Sequence, residues 1–125
     1  METIIAVALG GAIGSLGRYS IAIGVEKFIR INFPMGTLMA NLLGCLLIGI
    51  LWGYFGKVHL SNEFRLFIFT GFLGGFTTFS TFARETEQFF RIGEIWHGIS
   101  YLLISNIMGL AMVALGFYLC YRFIR

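Results

Sequence analysis

The sequence predicts an all-α integral membrane protein with four transmembrane helices in a single domain, residues 1–125. Three observations carry that expectation. Of 125 residues, 58% are hydrophobic and 12% charged, with one proline and a mean hydropathy of +0.86, a composition outside the range of soluble domains. The second observation is four long stretches almost free of charge. The third is a cluster of glycines and hydroxyls inside the third stretch, Gly71-Phe72-Leu73-Gly74-Gly75-Phe76-Thr77-Thr78-Phe79-Ser80-Thr81-Phe82.

Thr3 to Gly17 is uncharged and the apolar pattern continues past Arg18 to Val25. Its leading end carries Glu2 instead of a basic region, and no small-residue cleavage site precedes polar sequence, so it reads as a permanent span and not a signal peptide. Ile31 to Gly56 gives 26 uncharged residues, Leu66 to Ala83 gives 18 and Gly98 to Tyr121 gives 24. A bilayer core needs roughly 20 mostly apolar helical residues, so each qualifies, the third being the shortest. Pro34 sits where the second helix can begin. Gly10 with Gly14, and Gly49 with Gly53, form G-x-x-x-G pairs that mark close helix packing without saying which helices meet. Arg84 to His97, with Arg84, Glu85, Glu87, Arg91 and Glu94, reads as a helix continuation and interfacial loop whose charges are solvated.

In hydrocarbon every peptide group must be satisfied internally, and irregular backbone survives only when buried in protein or lining a cavity. A helix break within Gly71 to Phe82 is therefore a candidate ion or substrate site. Neutral polar residues accompany it: Thr37 and Asn41 on the second span, and Tyr101, Ser105 and Asn106 on the fourth. The pairs Thr37/Asn41 and Tyr101/Ser105 are four apart and share a helix face. Singly, each is an ordinary interhelical hydrogen-bonding residue, worth about 0.6 kcal/mol; two such faces beside a break favour a polar pathway. Phe79 and Phe82 are three apart, and the positive ring edges of phenylalanine can face an anion, although lipid contact or core packing is the commoner role.

Basic residues are spread over chain ends and connections despite a net charge of +3, which argues against nucleic acid. Cys45 and Cys120 read as packing residues. His59 and His97 are isolated from each other and from the cysteines, so neither a metal set nor a nucleophile with its base assembles, and an enzyme is not expected. Four spans put both termini on one side, with Lys57, Arg65, Arg122 and Arg125 there and Lys27, Arg30, Arg84 and Arg91 opposite, four against four with Arg18 left within its span. Lys/Arg excess normally sets orientation. Either another feature sets it here, or copies insert both ways and pair as an antiparallel, dual-topology homodimer. Small multidrug exporters share this length and span count, but their mechanism needs an intramembrane carboxylate, and all six glutamates read as terminal or connecting. A non-transporting membrane subunit is the third reading and leaves the glycine-rich break unexplained.

Gly17-Arg18-Tyr19, the run Gly-Thr-Leu-Met-Ala-Asn-Leu-Leu-Gly at 36–44 and the run Thr-Gly-Phe-Leu-Gly-Gly-Phe-Thr-Thr-Phe-Ser-Thr-Phe at 70–82 resemble the Fluc/CrcB family of bacterial fluoride channels over essentially the whole chain. The resemblance implies passive fluoride export across the bacterial cytoplasmic membrane by an antiparallel homodimer with two narrow pores and a third helix broken near the midplane. It also implies a structural sodium ion at the dimer centre, held by backbone carbonyls that map to Gly74 and Thr77. Carbonyl oxygens suit such a cation. The pore phenylalanines map to Phe79 and Phe82, the pore asparagine to Asn41, a hydroxyl track to Tyr101 and Ser105 with Thr37 beside it, and a vestibule arginine to Arg18. That arginine draws anions by its field or simply snorkels to the interface. Some members carry a further hydroxyl where this chain has Gly109.

Overall fold

The computed structural model describes residues 1–123, so Arg125 of the charge comparison lies outside the described residues. Helix α1 (Glu2–Phe28) runs until Ile29 turns extended. Pro34 then caps α2 (Met35–Phe55) with φ −78°, a position that suits proline because its fixed φ is already near helical. Arg65 Nη2 donates to Phe55 O at 2.8 Å, satisfying one of the carbonyls that a helix C-terminus leaves open.

The third apolar segment is composite. Ser61 caps the short α3 (Asn62–Arg65) by accepting the Phe64 N–H. A π-helical stretch, Leu66–Leu73, leads into one turn, α4 (Gly74–Phe76). Thr77 and Thr78 are extended, with φ/ψ of −97°/159° and −148°/121°, before helix resumes as α5 (Phe79–Arg91). Gly93, at φ +87°, makes the turn into α6 (Ile95–Phe123); a left-handed backbone favours glycine there. Glu2–Phe28, Met35–Phe55, Asn62–Arg91 and Ile95–Phe123 are four helical segments long and apolar enough to cross a membrane. The third covers 30 residues, against 18 counted from sequence, because helix continues through charges that find local partners. Arg91 bonds Glu87 at 2.9 Å and Arg84 bonds Gln88 at 3.1 Å, both i,i+4 on α5.

The glycine pairs decide which helices touch. A β-carbon on Gly10 would meet Phe67 O and lie 2.9 Å from Phe72 N, and one on Gly14 would meet Phe72 O. These two glycines therefore seat α1 on the π-helical stretch. Gly49 opposes Val113 O and Gly116, and Gly53 opposes Cys120 and Phe117, which seats α2 on α6; Cys120 is buried in that contact. Within hydrocarbon, such association relies on close packing because apolar side chains gain nothing by leaving lipid. The core is concentrated at one end, where Leu38, Leu42, Phe82, Phe89 and Tyr101 cluster with Phe33, Met35 and Met112 packed against them. Elsewhere large apolar side chains face outward, among them Leu9, Ile13 and Leu16 on α1 and Ile107 and Leu110 on α6.

Gly49→Ala should therefore destabilise the protein by about 1–3 kcal/mol, the usual cost of overpacking. A β-carbon on Gly24 meets nothing within 4 Å in the chain, so Gly24→Ala should be neutral or stabilising through better helix propensity. Thermal unfolding of both variants in detergent measures this, and equal losses would contradict it.

Candidate functional site

An unbroken α-helix would give the Thr78 N–H to Gly74 O and the Phe79 N–H to Gly75 O. The extended Thr77 and Thr78 prevent both. In their place Asn41 Oδ1 accepts the Thr78 N–H at 2.8 Å and Asn41 Nδ2 donates to Thr78 O at 3.1 Å, so one side-chain amide pairs both polar groups of one residue as a neighbouring strand would. Arg18 Nε donates to Gly75 O at 3.1 Å. Thr77 stays tied backward, its N–H and Oγ1 both reaching Leu73 O, at 3.1 and 2.9 Å. The Thr78 hydroxyl accepts the Thr81 N–H at 3.2 Å, the usual role of an N-cap. Gly44 on α2 makes room for the Thr77 methyl, which a β-carbon there would strike.

Beside the interruption lies a cavity of 390 Å³. Asn41, Phe79, Phe82 and Ser105, drawn from three segments of the expected pathway, line it together with Gly74 and Thr77. Thr78, Cys45 and Asn106 add to its polar wall; the Asn106 amide donates to its own helix at Leu102 O, 2.7 Å. A β-carbon on Gly109 would sit 3.5 Å from Cys45 Sγ, so a thiol lies beside the position where some Fluc/CrcB members carry a further hydroxyl. The two phenylalanine rings lie 5.8 Å apart between centroids at 58°, yet their surroundings differ. Phe82 is 7% exposed in the core, whereas Phe79 is 78% exposed.

Thr37 and Tyr101 stand apart from that cavity and meet at a residue the sequence reading placed among solvated charges. Tyr101 is fully buried; its ring has edge contacts with Phe33 and Phe82, at 5.3 and 5.1 Å between centroids. Its hydroxyl donates to Glu85 Oε1 at 2.9 Å, and Thr37 Oγ1 donates to Glu85 Oε2 at 3.2 Å. Glu85 is thus a half-buried carboxylate of the third apolar segment and not a residue of a connecting loop. Its other side lines a second cavity, of 290 Å³, with Arg84, Gln88 and Phe33. The missed signal was its spacing: Glu85 follows Phe82 by three and shares its helix face, but reading a span as ending at its first charge hides this.

Arg18 is half-buried and bound to backbone, so snorkelling alone does not describe it. Among the described residues no group of three or more His, Cys, Asp or Glu could hold a metal ion. A cation at the interruption would have to use backbone oxygens. Gly74 O has lost its helical donor to Asn41, and Thr77's extended ψ takes its carbonyl out of the helical ladder, so both fit a hard monovalent ion by donor chemistry.

A family model described as "CrcB-like protein, Camphor Resistance (CrcB)" matches residues 5–117. The chain is 60% identical over 121 residues to a protein of Desulfotalea psychrophila named fluoride-specific ion channel FluC, covering 97% of this chain and 94% of that one. It is 43% identical to the protein of the same name from Salinibacter ruber, over 93% of this chain and 87% of that one. A third protein so named, from Phocaeicola vulgatus, is 37% identical over 95% and 98% of the two chains. With its motifs, its four membrane-length helical segments and this extent of matching sequence, the chain belongs to the CrcB-like family.

Proposed function

We propose that the chain is a fluoride-selective channel, and not an enzyme, through which cytoplasmic fluoride leaves a bacterial cell passively down its electrochemical gradient, relieving fluoride toxicity. The observation that carries this reading is the cavity at the interruption, walled by Phe79 and Phe82 and furnished with uncharged polar groups. Relatives similar over nearly the whole chain are named for the same activity. Fluoride is small and strongly hydrated, so a pore must replace its water with close donors while binding weakly enough for exit. The spare Asn41 N–H and the Ser105 hydroxyl are neutral donors, and phenylalanine ring edges add positive potential without a fixed charge.

Thr37 and Tyr101 extend the route. Each hydroxyl carries one hydrogen, and both are given to Glu85. An arriving fluoride competes with the carboxylate for those hydrogens, so the ion is handed between neighbouring donors while Glu85 discourages it from lodging. The half-buried carboxylate also supplies the part whose absence argued against a proton-coupled exporter, and the flux experiment below separates the two readings.

The working unit in this reading is an antiparallel, dual-topology homodimer in the bacterial cytoplasmic membrane. Support comes from the four-against-four distribution of basic residues and from exposed Phe79 and Gly74 beside the interruption, which a second copy would cover. Gly74 and Thr77 of both copies would supply four carbonyl oxygens to a central sodium ion. When bound, the ion adds fixed positive charge where two interrupted segments meet.

Liposomes containing the purified protein should release fluoride rapidly under a membrane voltage, with negligible chloride release. Release that follows a proton gradient and moves an organic cation would replace the channel with an exporter, and absence of any flux would leave a non-transporting subunit. Phe82→Ile should lower fluoride flux at least about tenfold, equivalent to about 1.4 kcal/mol on the rate-limiting barrier, without dissociating the dimer; unchanged flux removes the ring from the pathway. Tyr101→Phe deprives Glu85 of a donor and should cost about 1.5–3 kcal/mol, the range for a bond to a charged group, read as a lowered unfolding midpoint together with reduced flux. Cysteine crosslinking across the interface should succeed only for antiparallel pairs.

A further inference from the structure

We infer that Arg18 is a positioning residue for the interruption, acting through the hydrogen bond from its Nε to Gly75 O and not through its charge. Gly75 O is stranded because its helical donor, the Phe79 N–H, belongs to the next helix. A carbonyl left without a partner at membrane depth costs several kcal/mol, so an outside donor is needed. Gly10, Gly14 and Arg18 are spaced by four on α1, which places them on one face. The two glycines bring that face against backbone: a β-carbon on Gly14 would lie 2.9 Å from Phe76 N, and Gly17 sits against the Phe76 ring. One turn farther on, the same close approach delivers the guanidinium to Gly75 O at 3.1 Å.

The bond also divides labour with Asn41. Arg18, from α1, fastens the residue two before Thr77, and Asn41, from α2, fastens the residue after it. Thr77 is thereby held from both sides in its extended conformation. Gly75 O is withdrawn from the set of open carbonyls, while Gly74 O and Thr77 O stay available to face a second copy. That last consequence rests on the proposed channel; the anchoring itself does not.

Substituting Arg18 separates hydrogen bond from charge. Nε is the fourth side-chain atom of arginine; glutamine places an N–H donor at the same atom without charge, whereas lysine keeps the charge but has a methylene there. Deuterium uptake over residues 75–79, measured on full-length protein in nanodiscs, should stay within about twofold of wild type in Arg18→Gln and rise about tenfold in Arg18→Lys. Fluoride flux should rank the same way, Gln above Lys. Lysine that matches wild type while glutamine fails would show that the field of the charge matters and overturn the inference, as would equal behaviour of the two variants in exchange. Should only Arg18→Lys fail to assemble, the hydrogen-bond role stands; should only Arg18→Gln fail, it falls. Wild-type protein that carries no fluoride would remove the channel reading yet leave the exchange comparison intact.

Discussion

One side-chain amide makes the interruption of the third apolar segment possible. Thr78 has left the helical ladder, and both its N–H and its C=O are paired by Asn41. In water such a peptide would simply be hydrated; in hydrocarbon an unpaired group costs several kcal/mol. Because Asn41 lies on α2 and α2 is locked to α6 through Gly49 and Gly116, the interruption takes its geometry from a rigid pair of helices. Arg18 does the corresponding work from α1. The third segment is held open by its neighbours, and its shape follows from their packing.

The interruption then has two chemically different sides. The run 62–76 ends there in carbonyls, the negative end of a helical segment, while α5 begins there with N–H groups and the hydroxyls of Thr78, Ser80 and Thr81. Aligned peptide dipoles favour a cation at the first and an anion at the second. In the proposed channel a single break would therefore offer opposite polarities within a few residues, without a charged side chain in the cavity wall. Neutral recognition suits a conduction pathway, in which an ion must leave as readily as it enters.

Glu85 shows how a charge is tolerated close to that pathway. Its two oxygens each receive a hydroxyl hydrogen, from Tyr101 and Thr37, and its far side opens to the second cavity with Arg84. Tyr101 is in turn fixed by surrounding phenylalanine rings. The aromatic core at this end thus orients a hydroxyl as well as filling space. Phe79 lies at the other extreme, large and uncovered.

Sequence by itself determined the membrane class, the four apolar segments and the weak point in the third, because hydrophobicity, run length and glycine content are local properties that every residue carries with it. It also offered Asn41, Thr37, Tyr101, Ser105, Phe79 and Phe82 as candidates, since neutral polar and aromatic residues at helical spacing are visible along one dimension. It placed Gly10, Gly14, Gly49 and Gly53 at contacts but could not name their partners. Only the tertiary structure decided those partners, paired Asn41 with Thr78 and Arg18 with Gly75, set Thr37 and Tyr101 apart from the cavity that Asn41, Phe79, Phe82 and Ser105 line, and moved Glu85 from solvent to their hydroxyls. These are hydrogen bonds between residues 16 to 57 positions apart and glycine approaches across separations as long or longer, and no local pattern specifies which distant group will satisfy a polar atom that the membrane forbids to remain alone.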